Sequence, residues 1–150
     1  MPPTAALCHG SRVASDRRHL LRARDLIDAG YARPLDVAEL ARAAHVSQTH
    51  LTREFRRAFG ETPHQYLLTR RLERAAALLR STDHPVIDIC MEVGLSSVGS
   101  FTTSFKRAFG ETPTAYRAKQ PPAALAARVP SCILRTYTRP QSARFKKTGD

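Results

Sequence analysis

The chain has 150 residues, with 24 Lys and Arg against 13 Asp and Glu and a formal net charge of +11. Its length suits about one domain, and the excess of positive charge makes an anionic partner the first functional hypothesis. No apolar run approaches the ~18 residues needed to cross a bilayer, and the N-terminus lacks the apolar stretch of a signal peptide. We therefore expect a cytoplasmic protein with no membrane partner.

The cysteines and the catalytic residue types give no sign of a metal centre or an enzyme. Cys8, Cys90 and Cys132 are odd in number and widely spaced, without the pattern of a zinc site or a disulfide framework. They are predicted to be free or buried thiols in a reducing compartment. No paired carboxylates, activated nucleophile or phosphate loop converge in the sequence. We expect no metal, no cofactor and no enzymatic activity.

One stretch of the chain occurs twice, at residues 55–66 and again at residues 105–116. Both copies read Phe, a basic residue, Arg, Ala, Phe, Gly, Glu, Thr and Pro, and both end in Tyr. Two copies are too few for a solenoid. The repeat therefore predicts two similar subdomains within one chain.

The first copy is preceded by a pattern typical of a helix-turn-helix. Residues 1–16 have no periodicity and are predicted to be a disordered leader. Apolar residues then recur at helical spacing over 17–29. Asp36 is a good N-cap for a second helix, which runs to about Ala44. Ser47 caps a third helix, over 47–59, after a turn of about three residues, the length found in a helix-turn-helix.

The second copy repeats this arrangement after a long helix. Thr62 and Pro63 begin a fourth helix over 63–81, because proline is tolerated at the first helical position. Further helices are predicted near 87–93, 97–109 and 112–117. The fold class is therefore all-α, with about seven helices in two helix-turn-helix subdomains, at 17–62 and 82–117, joined by the linker helix at 63–81.

The C-terminal stretch, residues 118–150, breaks the helical pattern. Several prolines interrupt it, and its seven Lys and Arg residues face a single acid, Asp150. Residues 132–138 have some strand character, but a lone strand is marginal without a sheet. We predict a basic, mostly disordered tail.

The third helix is predicted to bury one face and to expose a basic one. Thr49, Arg53, Arg56 and Arg57 fall on the outward face at 100° per residue. The opposite, buried stripe consists of Leu51, Phe55, Ala58 and Phe59.

The sixth helix repeats both faces. Thr102, Thr103, Lys106 and Arg107 lie outward, and the buried stripe consists of Phe101, Phe105, Ala108 and Phe109. A basic face is often only a solvated surface. Its repetition beside two helix-turn-helix patterns favours binding in the major groove of DNA, which admits a helix.

The predicted linker helix has a length suited to DNA. Nineteen residues span ~28 Å at the standard helical rise, and successive major-groove faces lie ~34 Å apart. A monomer is therefore expected to place both recognition helices, 47–59 and 97–109, in adjacent major grooves.

These residues resemble the AraC/XylS family of bacterial transcription regulators over roughly residues 18–117. The resemblance implies an all-helical domain of two helix-turn-helix subdomains that binds asymmetric promoter sites and usually activates transcription through RNA polymerase. The pattern that carries it comprises Leu40-Ala41, Val46-Ser47, His50-Leu51, Arg53, Phe55, Gly60, Tyr66, Arg71-Leu72, Ala75, Leu78-Leu79, Ile89, Val93-Gly94, Phe101, Phe105-Lys106, Phe109-Gly110, Thr112-Pro113 and Tyr116-Arg117.

The resemblance also implies which residues meet DNA. The second base-reading set is short-chained, able to reach a thymine methyl but not to bind guanine through two hydrogen bonds. We therefore expect it to read DNA more weakly. Phosphates are expected to be held by side chains and helix N-termini. The base-reading positions are Thr49, Thr52 and Arg53, then Val98, Gly99 and Thr103, and the phosphate contacts are Ser47, Arg56 and Arg57, then Ser97, Lys106 and Arg107.

Family members commonly carry a separate effector-binding domain, and only about sixteen residues precede the first predicted helix. The chain thus resembles the short stand-alone members, without a small-molecule effector domain. Two other functions remain open at this point. One is a non-specific nucleic-acid-binding accessory protein that uses the basic tail. The other is a protein-interaction module or defunct regulator, suggested by the small residues Val98 and Gly99.

Overall fold

The structure, a computed structural model, describes the backbone of residues 9–120 and the side chains of residues 17–120. This part of the chain contains seven α-helices and no strand, which confirms the predicted all-α class. The helices are α1 His9–Gly30, α2 Val37–Ala44, α3 Gln48–Phe59, α4 Pro63–Ser81, α5 Val86–Glu92, α6 Val98–Phe109 and α7 Pro113–Ala118.

The first helix begins earlier than the sequence predicts. α1 starts at His9, so residues 9–16 belong to it and not to a disordered leader. Each residue added to an existing helix gains a backbone hydrogen bond, and no proline lies in this stretch to stop it. Residues 1–8, and residues 121–150 of the predicted tail, lie outside the described part.

The helices form two compact units whose boundaries differ from the predicted ones. Within the described residues, unit 1 contains residues 9–30 and 35–66, and unit 2 contains residues 31–34 and 67–120. α4 is thus shared, and the short connection after α1 belongs to unit 2. Long-range packing makes this division, which local sequence patterns do not record.

Unit 1 is built on α1, α2 and α3. Phe55 is fully buried, and its ring centroid lies 4.5 Å from that of Phe59 and 5.6 Å from that of Tyr66. Ala58, predicted to be buried, is exposed, so the stripe on α3 is narrower than expected. Among the side chains described from residue 17 onward, the other buried apolar residues on these three helices are Leu20, Ala23, Ile27, Leu40, Ala41, Ala44 and Leu51.

Unit 2 repeats this aromatic arrangement. Phe105 is fully buried, with ring centroids 4.4 Å from Phe109 and 5.4 Å from Tyr116. Cys90 is buried and free, and burial raises the pKa of its thiol. The core comprises Leu72, Ala75, Ala76, Leu78, Leu79, Ile89, Cys90, Val93, Phe101, Phe105 and Tyr116. The identical residues of the repeat are therefore mainly scaffold.

The connection over 31–34 is held inside unit 2 by Arg71. Its Nε donates to the carbonyl of Tyr31 at 2.8 Å and its Nη2 to that of Arg33 at 3.0 Å. Burial lowers the pKa of this guanidinium. A Cβ built on Gly94 would lie 2.6 Å from the carbonyl oxygen of Ala32. The close packing of this connection thus requires a glycine at 94.

Candidate nucleic-acid interface

The two predicted recognition helices, α3 and α6, begin with the same cap. Ser47 Oγ accepts a hydrogen bond from the backbone N–H of His50 at 3.2 Å. Ser97 Oγ accepts one from the N–H of Ser100 at 3.3 Å. A serine cap satisfies one of the free N–H groups of the first turn. Because each hydroxyl serves as acceptor there, its own O–H is still able to donate, for example to a phosphate.

Both helices also end alike. Gly60 and Gly110 lie in the left-handed region, at φ 81° and 83°, and their N–H groups bond to the carbonyls of Arg56 and Lys106. The last turn of each helix carries two cations, Arg56 and Arg57 in α3 and Lys106 and Arg107 in α6. Positive side chains are favourable at this end of the helix dipole. All four of these side chains are exposed.

The turns before the two helices differ by one residue. In unit 1 the left-handed residue is His45 (φ 58°), and Val46 N–H bonds to Ala41 O at 3.0 Å. In unit 2 it is Gly94 (φ 85°), and Leu95 N–H bonds to Cys90 O at 3.0 Å. His45 and Gly94 are thus 49 residues apart in the sequence, whereas the two capping serines, Ser47 and Ser97, are 50 residues apart. Ser96 is the additional residue.

Most of the predicted contact residues of the first copy lie on the outward face of α3. Thr49, Arg53 and Arg56 follow one another at i, i+4 and i+7, and all three are exposed. Thr52 lies at the side of this line and is half-buried. The Arg53 side chain is 68% exposed, and its Nε donates to Glu54 Oε1 at 3.1 Å. Arg53 therefore has the reach and the exposure that base reading requires.

The outward face of α6 is chemically simpler. Gly99, Thr103 and Lys106 form the corresponding exposed line. Gly99 carries no side chain, and the Thr103 hydroxyl donates to the Gly99 carbonyl at 3.0 Å. That bond keeps the hydroxyl on its own helix. Val98 is half-buried and packs against the core of unit 2. This face thus offers mainly the methyl group of Thr103 and the cations.

Two positions, Gln48 and Thr102, are missing from the predicted contact residues, although Thr102 is predicted to lie on the outward face of the sixth helix. The 50-residue offset that relates α3 to α6 pairs Gln48 with Val98 and Thr52 with Thr102. Gln48 is exposed at the first position of α3, and Thr102 is half-buried. Applying the offset to every predicted contact position would have identified both.

Two other kinds of functional feature, a metal-ion cluster and a membrane-spanning helix, are not found in the described part of the chain. No cluster of three or more His, Cys, Asp or Glu residues suited to a metal ion occurs among residues 17–120. No helix in the described region is long and apolar enough to span a membrane. The exposed basic faces of α3 and α6 are therefore the surfaces that point most clearly to a ligand.

Comparison with known proteins gives the family. A family profile described as a helix-turn-helix domain matches residues 40–119. The regulatory protein SoxS of Salmonella typhimurium (strain LT2) is 37% identical over 76 residues, which cover 51% of this chain and 71% of SoxS. Other curated relatives, at 31% to 34% identity, are much longer, and the chain spans only 13% to 41% of their length.

Solved structures share the fold. The DNA-binding domain of AdpA, a global transcriptional factor solved in complex with a target DNA, is 31% identical, with a TM-score of 0.64 over 73% of this chain and 95% of that domain. An AraC-type regulator from Chromobacterium violaceum is 32% identical, with a TM-score of 0.65 over 71% and 95% of the two chains. The two capped, basic helices are thus parts of a known DNA-binding fold, and the chain belongs to the AraC/XylS family of DNA-binding transcription regulators.

Proposed function

We propose that the chain is a sequence-specific transcription activator that places α3 and α6 in adjacent major grooves of promoter DNA. One observation carries this proposal: each helix combines a serine N-cap, a buried face that includes a phenylalanine, and an exposed last turn with two cations. A major groove is wide enough for such a helix, and the phosphates on its rims attract the cations.

In this proposal α3 and α6 contribute unequally to the recognition of the DNA sequence. The guanidinium of Arg53 is able to bind guanine through two hydrogen bonds, whereas Gly99 and Thr103 offer no comparable donor. Thr49 and Thr52 are the other proposed base-reading residues on α3. On α6, Val98 can contact a base only through the exposed part of its half-buried side chain. Most of the discrimination between DNA sequences is therefore assigned to α3, and α6 contributes mainly affinity.

Phosphate contacts are assigned to the caps and to the last turns. The N–H groups at a helix N-terminus and the dipole behind them favour an anion, which gives Ser47 and Ser97 a role as phosphate donors. The cations of the last turns would hold the other rim of each groove, and their contacts carry no sequence information. These cations are Arg56 and Arg57 on α3 and Lys106 and Arg107 on α6.

One chain is proposed to suffice on DNA. α4 has 19 residues, about 28 Å at the standard rise, a length comparable to one turn of the duplex. Action on promoters places the protein in the cytoplasm and makes RNA polymerase its second partner, as the family resemblance implies. No cofactor has a part in this proposal.

Selection of bound duplexes from a random DNA pool tests the proposal. We expect an enriched asymmetric motif and, on that motif, two protected major-groove segments about 10 base pairs apart in a footprint. The mass of the complex should correspond to one chain per duplex. A reporter behind the selected site should be induced when the protein is expressed. Binding without any enriched motif would instead favour the non-specific accessory protein.

A further inference from the structure

Glu54 is an exception on the two recognition helices. It is the only acidic residue on α3, and α6 has none, since Ser104 occupies the equivalent position. Its side chain is only 22% exposed, whereas that of its neighbour Arg53 is 68% exposed. A carboxylate next to a DNA-binding surface opposes phosphate binding, because both groups are negative. Its presence beside the principal base reader therefore calls for a compensating role.

The contacts between Arg53 and Glu54 indicate what that role is. Glu54 Oε1 accepts from Arg53 Nε at 3.1 Å, along the side of the guanidinium. On the same side chain, Nη2 lies 3.4 Å from His50 Nδ1. Arginine has no acceptor, so His50 acts here through a ring nitrogen that accepts. The side chain as a whole is 68% exposed, so the N–H groups that neither partner occupies are accessible to a base.

We infer that Glu54 is a positioning residue that orients Arg53 for two-hydrogen-bond recognition of guanine. This inference rests on the proposed function. A long arginine side chain loses rotamer freedom when it binds a base, and a partner that already holds Nε reduces that loss. The carboxylate also weakens binding to any duplex by repelling phosphates. This repulsion acts on specific and non-specific sites alike, so the orientation of Arg53 is the effect that raises the ratio of specific to non-specific affinity.

The expected effect is modest, because exposed ion pairs contribute little energy. A pair of this kind corresponds to about a two- to fivefold change in an equilibrium constant. Glu54→Ala should therefore reduce, by about that factor, the ratio of affinities for the selected site and for a site with the guanine replaced. Its affinity for random duplex should stay equal or rise. Glu54→Gln keeps an acceptor oxygen and should retain part of the discrimination.

A double-mutant cycle isolates the contact between the two side chains. The affinity ratio is measured for the wild type, Glu54→Ala, Arg53→Ala and the double variant, with thermal unfolding as a check on folding. In the Arg53→Ala background, removal of Glu54 should leave the ratio unchanged. Asp25→Asn on α1, whose side chain is 71% exposed, is the charge-matched control and should not alter the ratio.

The outcomes separate the inference from the proposed function. If the wild type selects a motif but Glu54→Ala keeps the wild-type ratio, the positioning role is wrong and the proposed function stands. The positioning role is equally wrong if Glu54→Ala lowers the ratio by the same factor with and without Arg53. If the wild type selects no motif, the proposed function fails and the positioning role fails with it.

Discussion

Arg80 Nη1 donates a hydrogen bond to the hydroxyl oxygen of Tyr116 at 2.7 Å, and both residues are only 8% exposed. Among the described residues, this hydroxyl is the acceptor for the buried guanidinium, whose Nε has no hydrogen-bond partner. At the same position of the repeat in unit 1, Tyr66 instead donates to both carboxylate oxygens of Asp28, at 3.1 and 3.2 Å. The repeated tyrosine thus holds a cation in one unit and an anion in the other.

Tyr116→Phe should destabilise unit 2 by about 1–3 kcal/mol, because a buried charged donor loses its acceptor while the ring packing is retained. Tyr66→Phe is the matched variant. Its partner Asp28 lies in a part-buried site where water can replace the hydroxyl, so we expect a loss of about 1 kcal/mol or less. Urea unfolding of both variants measures the difference, and an equal loss in the two would contradict the role assigned to Tyr116.

Gly94→Ala should cost much more stability than Gly60→Ala. Both glycines have positive φ, 85° and 81°, so an alanine at either carries a backbone penalty of about 1–2 kcal/mol. A Cβ at position 60 meets nothing within 4 Å, whereas one at 94 lies 2.6 Å from the backbone of Ala32. Thermal unfolding should show the larger decrease in Tm for Gly94→Ala, and similar decreases would refute the close packing of residues 31–34.

Arg71→Ala should destabilise the protein by about 1–3 kcal/mol, since the carbonyls of Tyr31 and Arg33 both lose a donor. The control is Arg74→Ala, three positions further along α4, where the side chain is exposed. Exposed positions of this kind usually change stability by less than about 0.5 kcal/mol. Chemical denaturation compares the two variants. Equal stabilities would mean that Arg71 does not hold the connection.

The helices were predictable because their signals are local. Ser47 and Ser97 cap the helices that follow them, and Gly60 and Gly110 end those helices. These effects depend on residues within one helical turn. The predicted bounds of α3, α4 and α6 consequently differ from the observed ones by no more than one residue.

Features that depend on distant residues were not predictable. The bonds from Arg71 join positions about forty residues apart in the chain. Helical spacing placed Ala58 in the buried stripe, but no neighbouring helix covers it. Val98 is half-buried because it packs on the core of unit 2. The positions of residues around a helix do not by themselves predict such a contact. The sequence comparison did not reveal Ser96 as an additional residue, because the two most similar segments, 55–66 and 105–116, both lie after the turns.

The pairing of Arg53 with Glu54 illustrates the same limit at the candidate interface. The sequence shows that an acid follows an arginine, but adjacent residues on a helix do not generally face each other. Only the side-chain conformations bring Oε1 within 3.1 Å of Nε. The exposure of most candidate contact residues was therefore predictable, with Thr52 and Val98 as half-buried exceptions, and their mutual contacts were not.

The central claim is that α3 reads bases while the cations of both helices hold phosphates, and a comparison of Arg53→Ala with Lys106→Ala tests it most directly. Binding of each variant is measured against the selected site and its single-base variants over a range of salt concentrations. Arg53→Ala should lose about 1–3 kcal/mol on the selected site and cease to distinguish bases at one position. Lys106→Ala should weaken binding to all sequences alike and reduce the salt slope by about 1. Unchanged base discrimination in Arg53→Ala, or altered discrimination in Lys106→Ala, would contradict the account.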